Sequence, residues 1–365
     1  MAGPIVITGG GTGGHIFPME AIADQLRARG VAARDLRFVG SRRGQESSLL
    51  ADSAVALTLL PGRGFRRALH LDALVENLGA AVALGSALVL ALVKVRQWRP
   101  SVVVSLGGYA SFATTLAALV WRRPVVLVEL DAEPGAAQRL FTRFARARCC
   151  AFPTNDPKAV VTGTPLRERI VAVDRSPDGV RAARATIEPP IDEARLVVVV
   201  MTGSLGSTTV NVAVSELARR WSSRRDRTII HVAGRRDVAI VRDHAPFTNG
   251  LDYRVLEFGD MAQLWALCDV AICRAGASTV AELTTLKIPS VLVPLPRAPG
   301  DHQMKNALAV VEAGGARLVL DAECDGAKLD DVLASITTPE TLASMGAAAG
   351  ALGRRDAAAS IARVV

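Results

Sequence analysis

Aromatic side chains make up only 4% of the chain, too few to build the stacking platforms that bind single-stranded nucleic acid. The arginines are dispersed rather than clustered, so nucleic acid is not an expected partner. Cysteine is sparse as well: Cys149, Cys150, Cys268, Cys273 and Cys324 form no C-x-x-C pair, and an odd, scattered set fits reduced thiols in a cytosolic protein. A signal peptide is not expected, because only Met1 to Pro4 precede the first apolar strand. Nor does any segment read as a transmembrane helix. Leu78 to Val93 is almost wholly apolar, but it holds Gly79, Gly85 and Ser86, ends at Lys94 and Arg96, and falls short of the roughly 18–20 residues a span needs. A buried helix is expected there, its beginning offering a shallow membrane contact beside Arg66, Arg67 and His70.

What is present points to a folded α/β protein. Half of the residues are hydrophobic, and 365 residues suffice to bury two cores. The formal net charge of +8 favours anionic partners such as phosphates or an acidic lipid surface, although an Ala/Arg-rich composition alone has the same effect.

The chain is organised around its first fifteen residues. The run Ile5-Val6-Ile7-Thr8 leads into Gly9-Gly10-Gly11-Thr12-Gly13-Gly14-His15, and a helical pattern continues past Pro18 through Ala21, Ile22 and Leu26. Gly9, Gly11 and Gly14 satisfy G-x-G-x-x-G, whose glycines let a ligand approach backbone N–H groups; alone the pattern says only that a nucleotide or phosphate is nearby. It is not a Walker A loop, because His15 stands where the lysine would be. Further strands are read at Leu36–Gly40, Ala54–Leu60, Val102–Ser105 and Pro124–Val128, and such apolar runs alternating with helical patterns imply a doubly wound parallel sheet. Loops at the carboxyl ends of its strands share one crevice. Gly107-Gly108-Tyr109 and Glu129-Leu130-Asp131-Ala132-Glu133 are therefore expected near the first glycine loop, with Glu129 and Asp131 supplying carboxylates. Asp131-x-Glu133 reads as a solvated acidic pair, and no metal is expected.

Gly163-Thr164-Pro165 breaks the chain, and after a charged, proline-containing region the pattern restarts. Leu196–Val200 is a strand, Thr202–Ser207 its small-residue turn, and Val210, Val214 and Leu217 mark the helix that follows. Further on, the strand Val270–Cys273 leads through Arg274-Ala275-Gly276 into a helix starting at Ala277, Ser278 and Thr279 and carrying Glu282. Backbone N–H groups at such a start suit a diphosphate. Glu282, on the same face one turn in, can accept bonds from a ribose diol. Thr279 and Glu282 equally make a capping pair. Asp301-His302-Gln303-x-x-Asn306 either reads a sugar's hydroxyls or forms a helix N-cap at Asp301.

In order along the chain, Gly9 to Pro18, Gly107-Gly108-Tyr109, Gly163-x-Pro165-x-Arg167, Gly203-Ser204-x-Gly206, Arg274-x-Gly276-Ala277-x-Thr279-x-x-Glu282 and His302-Gln303-x-x-Asn306 resemble the MurG family of peptidoglycan N-acetylglucosaminyltransferases. The resemblance is collinear from about residue 5 to 320. It implies a GT-B fold, two Rossmann-like domains with parallel sheets facing a central cleft. Residues 1–163 would form the acceptor- and membrane-facing domain and 164–340 the UDP-sugar domain, with a helix in 341–365 returning to the first. The implied reaction is inverting transfer of N-acetylglucosamine from UDP-N-acetylglucosamine to undecaprenyl-pyrophosphoryl-N-acetylmuramyl-pentapeptide, lipid I to lipid II. It needs no cofactor and no metal, and takes place on the cytoplasmic face of the cell membrane, with the protein held peripherally on an anionic surface.

Carried over residue by residue, the resemblance puts His15 near the acceptor and donor phosphates; as an imidazole it is the leading general base on chemical grounds, with Glu129 its rival if buried. The resemblance assigns Thr12, Gly13, Gly14, Arg167, Ser204, Ala277, Ser278, Thr279, Glu282, His302 and Gln303 to UDP-N-acetylglucosamine, and Tyr109 and Asp131 to the acceptor side. The sequence departs from the family pattern at Val128 (usually His), Leu205 (usually Gln) and Thr164 (usually Asn). A UDP-sugar-binding relative with altered acceptor or weakened catalysis is the alternative. A nicotinamide-dependent oxidoreductase comes third, since Gly40-Ser41-Arg42-Arg43 lacks the ribose-binding acid.

Overall fold

Runs such as Val197–Val200 and Val125–Val128 are buried throughout, which a strand achieves only in a sheet covered on both faces. The computed structural model, which describes residues 3–11, 13–61, 71–203 and 205–365, builds two such sheets. The first part of the chain runs β1 (Ile5–Thr8), α1 (Gly13–Ala28), β2 (Leu36–Ser41), α2 (Glu46–Leu49), β3 (Ala56–Leu60), α3 (Leu71–Trp98), β4 (Val102–Ser105), α4 (Tyr109–Val120), β5 (Val125–Glu129), α5 (Ala136–Phe141), β6 (Ala147–Cys150) and β7 (Ala159–Val161). Among the described residues its seven strands pair in the order β3-β2-β1-β4-β5-β6-β7, every pair parallel.

The second part runs α6 (Glu168–Val171), α7 (Pro177–Thr186), β8 (Leu196–Met201), α8 (Thr208–Arg220), β9 (Arg227–Val232), α9 (Val238–Asp243), β10 (Asp252–Leu256), α10 (Met261–Leu267), β11 (Val270–Cys273), α11 (Ala277–Thr285), β12 (Ser290–Leu292), α12 (His302–Glu312), β13 (Ala316–Leu318), α13 (Gly326–Ile336) and α14 (Pro339–Leu352), and α15 (Ala357–Val364) ends the chain. Its six strands, among the described residues, pair in parallel in the order β10-β9-β8-β11-β12-β13. In both sheets the first strand sits beside the second and fourth, so the order reverses there. The loops that leave β1 and β4, and those that leave β8 and β11, thus flank the point where parallel sheets take ligands.

The chain divides into two units, Met1–Arg167 with Arg355–Val365, and Glu168–Arg354. Arg167 closes the first unit. Helix α14 stays with the second unit because its glycines seat it on the end of α11: a Cβ at Gly346 would stand 2.8 Å from the Lys287 carbonyl oxygen, and one at Gly353 2.5 Å from that of Thr284. Only α15 returns, burying Ala357, Ala358, Ile361 and Ala362 and packing on α1.

Helix α3 also differs from the expected buried helix. Ala87, Ala91 and Val95, spaced by one helical turn, are buried with Ala113, Ala117 and Phe141 of α4 and α5 in the first unit's core. The opposite positions Val82 and Val89 are 65% and 63% exposed. Ala81–Trp98 is long and apolar enough to cross a membrane, with a mean hydropathy of 1.4. Its packed stripe nevertheless makes it a surface helix of this unit, half covered and half bare. Arg66, Arg67 and His70 lie outside the described residues.

Candidate active site

In the first unit, the turn after β1 and the turn after β4 meet. Gly108, at a backbone φ of +77° that favours glycine, precedes α4, whose first residue is Tyr109. A Cβ at Gly108 would stand 3.1 Å from the Gly10 carbonyl oxygen and 3.9 Å from His15 Nε2. The imidazole therefore lies at the start of α1 against the second glycine turn, with Gly13 and Gly14 before it. The Gln138 amide holds that second turn to β5 by donating 2.8 Å to the Val128 carbonyl. Phe17 folds back over the helix start, since a Cβ at Gly13 would come within 3.0 Å of its ring. Above the ring sits the Arg167 guanidinium, 3.7 Å from the centroid, a cation–π stack that fixes the arginine's plane.

Glu129 does not fit the base role. It is buried at the end of β5, and Arg148 grips both oxygens, Nε to Oε1 and Nη2 to Oε2 at 2.9 Å each. The Cys150 thiol donates a third bond at 3.2 Å, and Arg148 also pairs with Asp156. The bond to Glu129 raises the arginine's pKa further. A carboxylate gripped on both oxygens by a bidentate guanidinium cannot swing to a hydroxyl. Asp131 lies just beyond in the same loop, half-buried. The thiols are no alternative nucleophiles: burial pushes Cys149, Cys150 and Cys268 up to about 12.

In the second unit, Gly276 occupies the N-cap of α11 in extended conformation with no side-chain cap. The space above it is open, the nearest atom to a Cβ there being Thr279 Oγ1 at 4.0 Å. Ala277, Ser278 and Thr279 form the first helical turn beneath, their N–H groups pointing out of the helix by geometry. Glu282, buried one turn in, is oriented by a residue the sequence did not single out: the indole N–H of Trp265 donates to its Oε2 at 2.7 Å. Trp265 is in turn fixed by Arg175, whose guanidinium caps the end of α10 by donating to the carbonyls of Trp265 at 2.8 Å and of Ala266 and Cys268.

Arg274, in the turn before α11, is a knot rather than a ligand arm. It donates to the carbonyls of Val293 and Pro294, to Ser207 Oγ at 2.5 Å, and pairs with Asp321 at 2.6 Å. The loops after β8, β11 and β12 are thereby joined. Asn306 of α12 adds a bond to the Ala275 carbonyl at 3.2 Å. Gln303 uses its Oε1 to accept from the Leu295 amide at 2.9 Å, which leaves its NH₂ end as the part that can serve a ligand; His302 stands beside it at the helix start. Asp301 precedes α12 in left-handed conformation without capping it through its side chain. Thr12 and Ser204 lie outside the described residues.

Of the three departures from the family pattern, two are internal. Val128 is buried in β5, and buried Thr164 donates to the Leu130 carbonyl. Leu205 is 66% exposed at the turn between β8 and α8, so it alone can meet a ligand directly. That turn rests on a buried network. His231 bonds Asn211 Oδ1 at 2.8 Å and Tyr253 at 2.9 Å, while Asn211 donates to the Ala233 carbonyl and to Asp237. Burial holds His231 down at about 4, so it serves as a neutral hydrogen-bond hub.

Residues 5–149 match the N-terminal domain of glycosyltransferase family 28, and residues 197–361 match its C-terminal domain. The chain is 35% identical to the UDP-N-acetylglucosamine–N-acetylmuramyl-(pentapeptide) pyrophosphoryl-undecaprenol N-acetylglucosamine transferase of Moorella thermoacetica, over 99% of this chain and 98% of that protein. The crystal structure of Acinetobacter baumannii MurG superposes with a TM-score of 0.78 at 24% identity, over 100% of this chain and 99% of that one. A UDP-N-acetylglucosamine 2-epimerase also superposes, with a TM-score of 0.63 at 14% identity over 98% and 94% of the two chains. The GT-B fold is therefore shared beyond the transferases, and what separates them is sequence. By its near-full-length identity and both matched domains, the chain belongs to glycosyltransferase family 28 and, within it, to the MurG N-acetylglucosaminyltransferases.

Proposed function

We propose that this enzyme transfers N-acetylglucosamine from UDP-N-acetylglucosamine to the N-acetylmuramyl-pentapeptide of lipid I, with inversion at the anomeric carbon, in peptidoglycan synthesis. The observation that carries the donor half is the start of α11: amide donors with no side-chain cap, one turn from a carboxylate oriented by Trp265. The first turn, Ala277 to Thr279, receives the diphosphate, and Glu282 accepts from the ribose hydroxyls. His302 and the Gln303 amide bind the sugar, together with Ser204 of the preceding turn.

In a single displacement the acceptor hydroxyl must lose a proton while negative charge grows on the departing UDP. His15, with Glu129 locked to Arg148, is the base. The helix-start amides of α11 and the Arg167 guanidinium stabilise the leaving group. Thr12, Gly13 and Gly14 contribute further amides to the phosphates, and Tyr109 and Asp131 face the acceptor.

The acceptor is a membrane lipid, and the first unit provides the docking surface. Val82, Val89 and Val93 on α3, Val120 on α4, Leu140 on α5 and Phe144 just after it are all exposed, with Arg96, Arg122, Arg139 and Arg143 exposed on or just after the same helices. Apolar positions mixed with arginines suit peripheral attachment to the anionic cytoplasmic leaflet.

Turnover of a lipid I analogue with UDP-N-acetylglucosamine tests the reading, alongside calorimetric titration of UDP and NADPH. Product formation with UDP binding and no NADPH binding is expected. UDP binding without turnover would favour the altered-acceptor alternative, for which exposed Leu205 is the supporting feature.

A further inference from the structure

A fully buried carboxylate stands under the first glycine turn, outside every role assigned above. Glu46, at the start of α2, is 0% exposed. Its Oε1 accepts two backbone amides, Gly11 N at 3.0 Å and Ser41 N at 2.9 Å. Oε2 is buried without a hydrogen-bond partner, and among the described residues Glu46 has no ion pair. Three glycines make the room. A Cβ at Gly10 would fall 2.0 Å from Oε1, one at Gly40 2.7 Å from the Glu46 Cγ, and one at Gly44 1.8 Å from Oε2. Gly10 sits at a φ of +134°, so a side chain there is excluded twice over.

The placement has a mechanical consequence. The last backbone bond between β1 and β2 runs from the Gly9 N–H to the Val39 carbonyl, and beyond it the strands separate into loops. The Glu46 carboxylate takes over there, joining the turn after β1 to the end of β2. On its other side the same turn bears on Gly108, through the Gly10 carbonyl, next to His15 Nε2. The turn is thus clamped between a carboxylate and a glycine backbone just before the helix that carries the imidazole.

We propose that Glu46 is a positioning residue for the transfer reaction, fixing the Gly9–Gly11 turn so that α1 presents its first N–H groups and His15 in the reactive geometry. The proposal rests on the assignment of that turn and His15 to the reacting groups. Deleting the carboxylate removes the acceptor that two backbone amides share and lets the turn move, and displacements of about 1 Å in catalytic groups cost on the order of a hundredfold in rate.

The test compares Glu46→Ala, Glu46→Gln and Gly44→Ala in the full-length enzyme. Glu46→Gln keeps the Oε1 acceptor and is expected to restore most of the turnover. Glu46→Ala is expected to lower kcat per folded molecule about tenfold or more while UDP affinity falls far less, because most of the UDP contacts assigned above, the α11 amides and Glu282 among them, lie in the second unit. Hydrogen–deuterium exchange should rise in the peptide covering residues 5–19 and stay unchanged around α11. Gly44→Ala keeps the carboxylate but collides with it, and should reproduce the kcat loss even where Glu46→Ala fails to fold. Wild-type kcat in a folded Glu46→Ala protein, equal losses in the Gln and Ala variants, or unchanged exchange in residues 5–19 would each overturn the proposal. Should wild type itself turn over no lipid I analogue, the transferase reading fails separately, and the exchange experiment still decides whether Glu46 holds the turn.

Discussion

The imidazole of His15 is argued to take a proton, and Trp265 to aim a carboxylate; substitution separates these roles. His15→Ala removes the base and leaves the second unit untouched, so turnover should fall about a hundredfold or more, the usual contribution of a positioned acid–base group, with UDP affinity unchanged. Calorimetry beside steady-state kinetics checks both halves, and unchanged turnover would reject His15 as catalytic. Trp265→Phe keeps a ring in the same buried space but deletes the donor to Glu282. A hydrogen bond to a charged group contributes about 1.5–3 kcal/mol, and part of that should appear as a KM for UDP-N-acetylglucosamine raised about tenfold with kcat nearly constant. A loss confined to kcat would show instead that Glu282 does not serve the donor's ground state. Neither Trp265 nor Glu46 was legible in the sequence. Each reaches its partner through the fold, Trp265 from the preceding helix and Glu46 from beyond the next strand, and no local pattern records such a meeting. The glycines at positions 10, 40 and 44 were the visible trace of the second, because they mark the space the carboxylate fills.

Strands and helices were far more legible than these contacts. The apolar runs and glycine turns are local signals, and β1, β4, β8 and β11 stand where the sequence puts them. Helix α3 was harder, because Leu78 to Val93 is apolar on every side and periodicity therefore cannot say which face is covered. The structure buries the Ala87, Ala91 and Val95 stripe and leaves the valines opposite bare. If that bare face attaches to lipid, Val82→Glu with Val89→Glu should weaken partitioning onto anionic vesicles in a sedimentation assay about a hundredfold, since each apolar side chain buried contributes about 1.5–3 kcal/mol. Turnover of a short-chain, water-soluble acceptor should persist. Equal loss with the soluble acceptor would mean the substitutions act on the fold rather than on the membrane.

At the scale of the whole molecule, each unit has its own sheet and core, and the first is closed by the last residues of the chain. Helix α15 packs on α1, so the helix bearing His15 is held by side chains some 340 positions further along. That arrangement was only partly readable, since small-residue helices such as α14 and α15 carry no mark of the unit they join. Ile361 is fully buried in the contact, and Ile361→Ala removes three methyl-sized groups where the surroundings can relax only in part, a cost of about 2–5 kcal/mol. Two cores make a single two-state transition a poor description of unfolding. UDP at a hundred times its Kd should add about 2.7 kcal/mol to the unit that binds it, which identifies the second unit's transition in a calorimetric scan. Ile361→Ala is then expected to lower the other transition by several degrees and leave the UDP-shifted one in place. A variant in which the UDP-shifted transition alone moved would assign α15 to the second unit and detach it from the helix that carries His15.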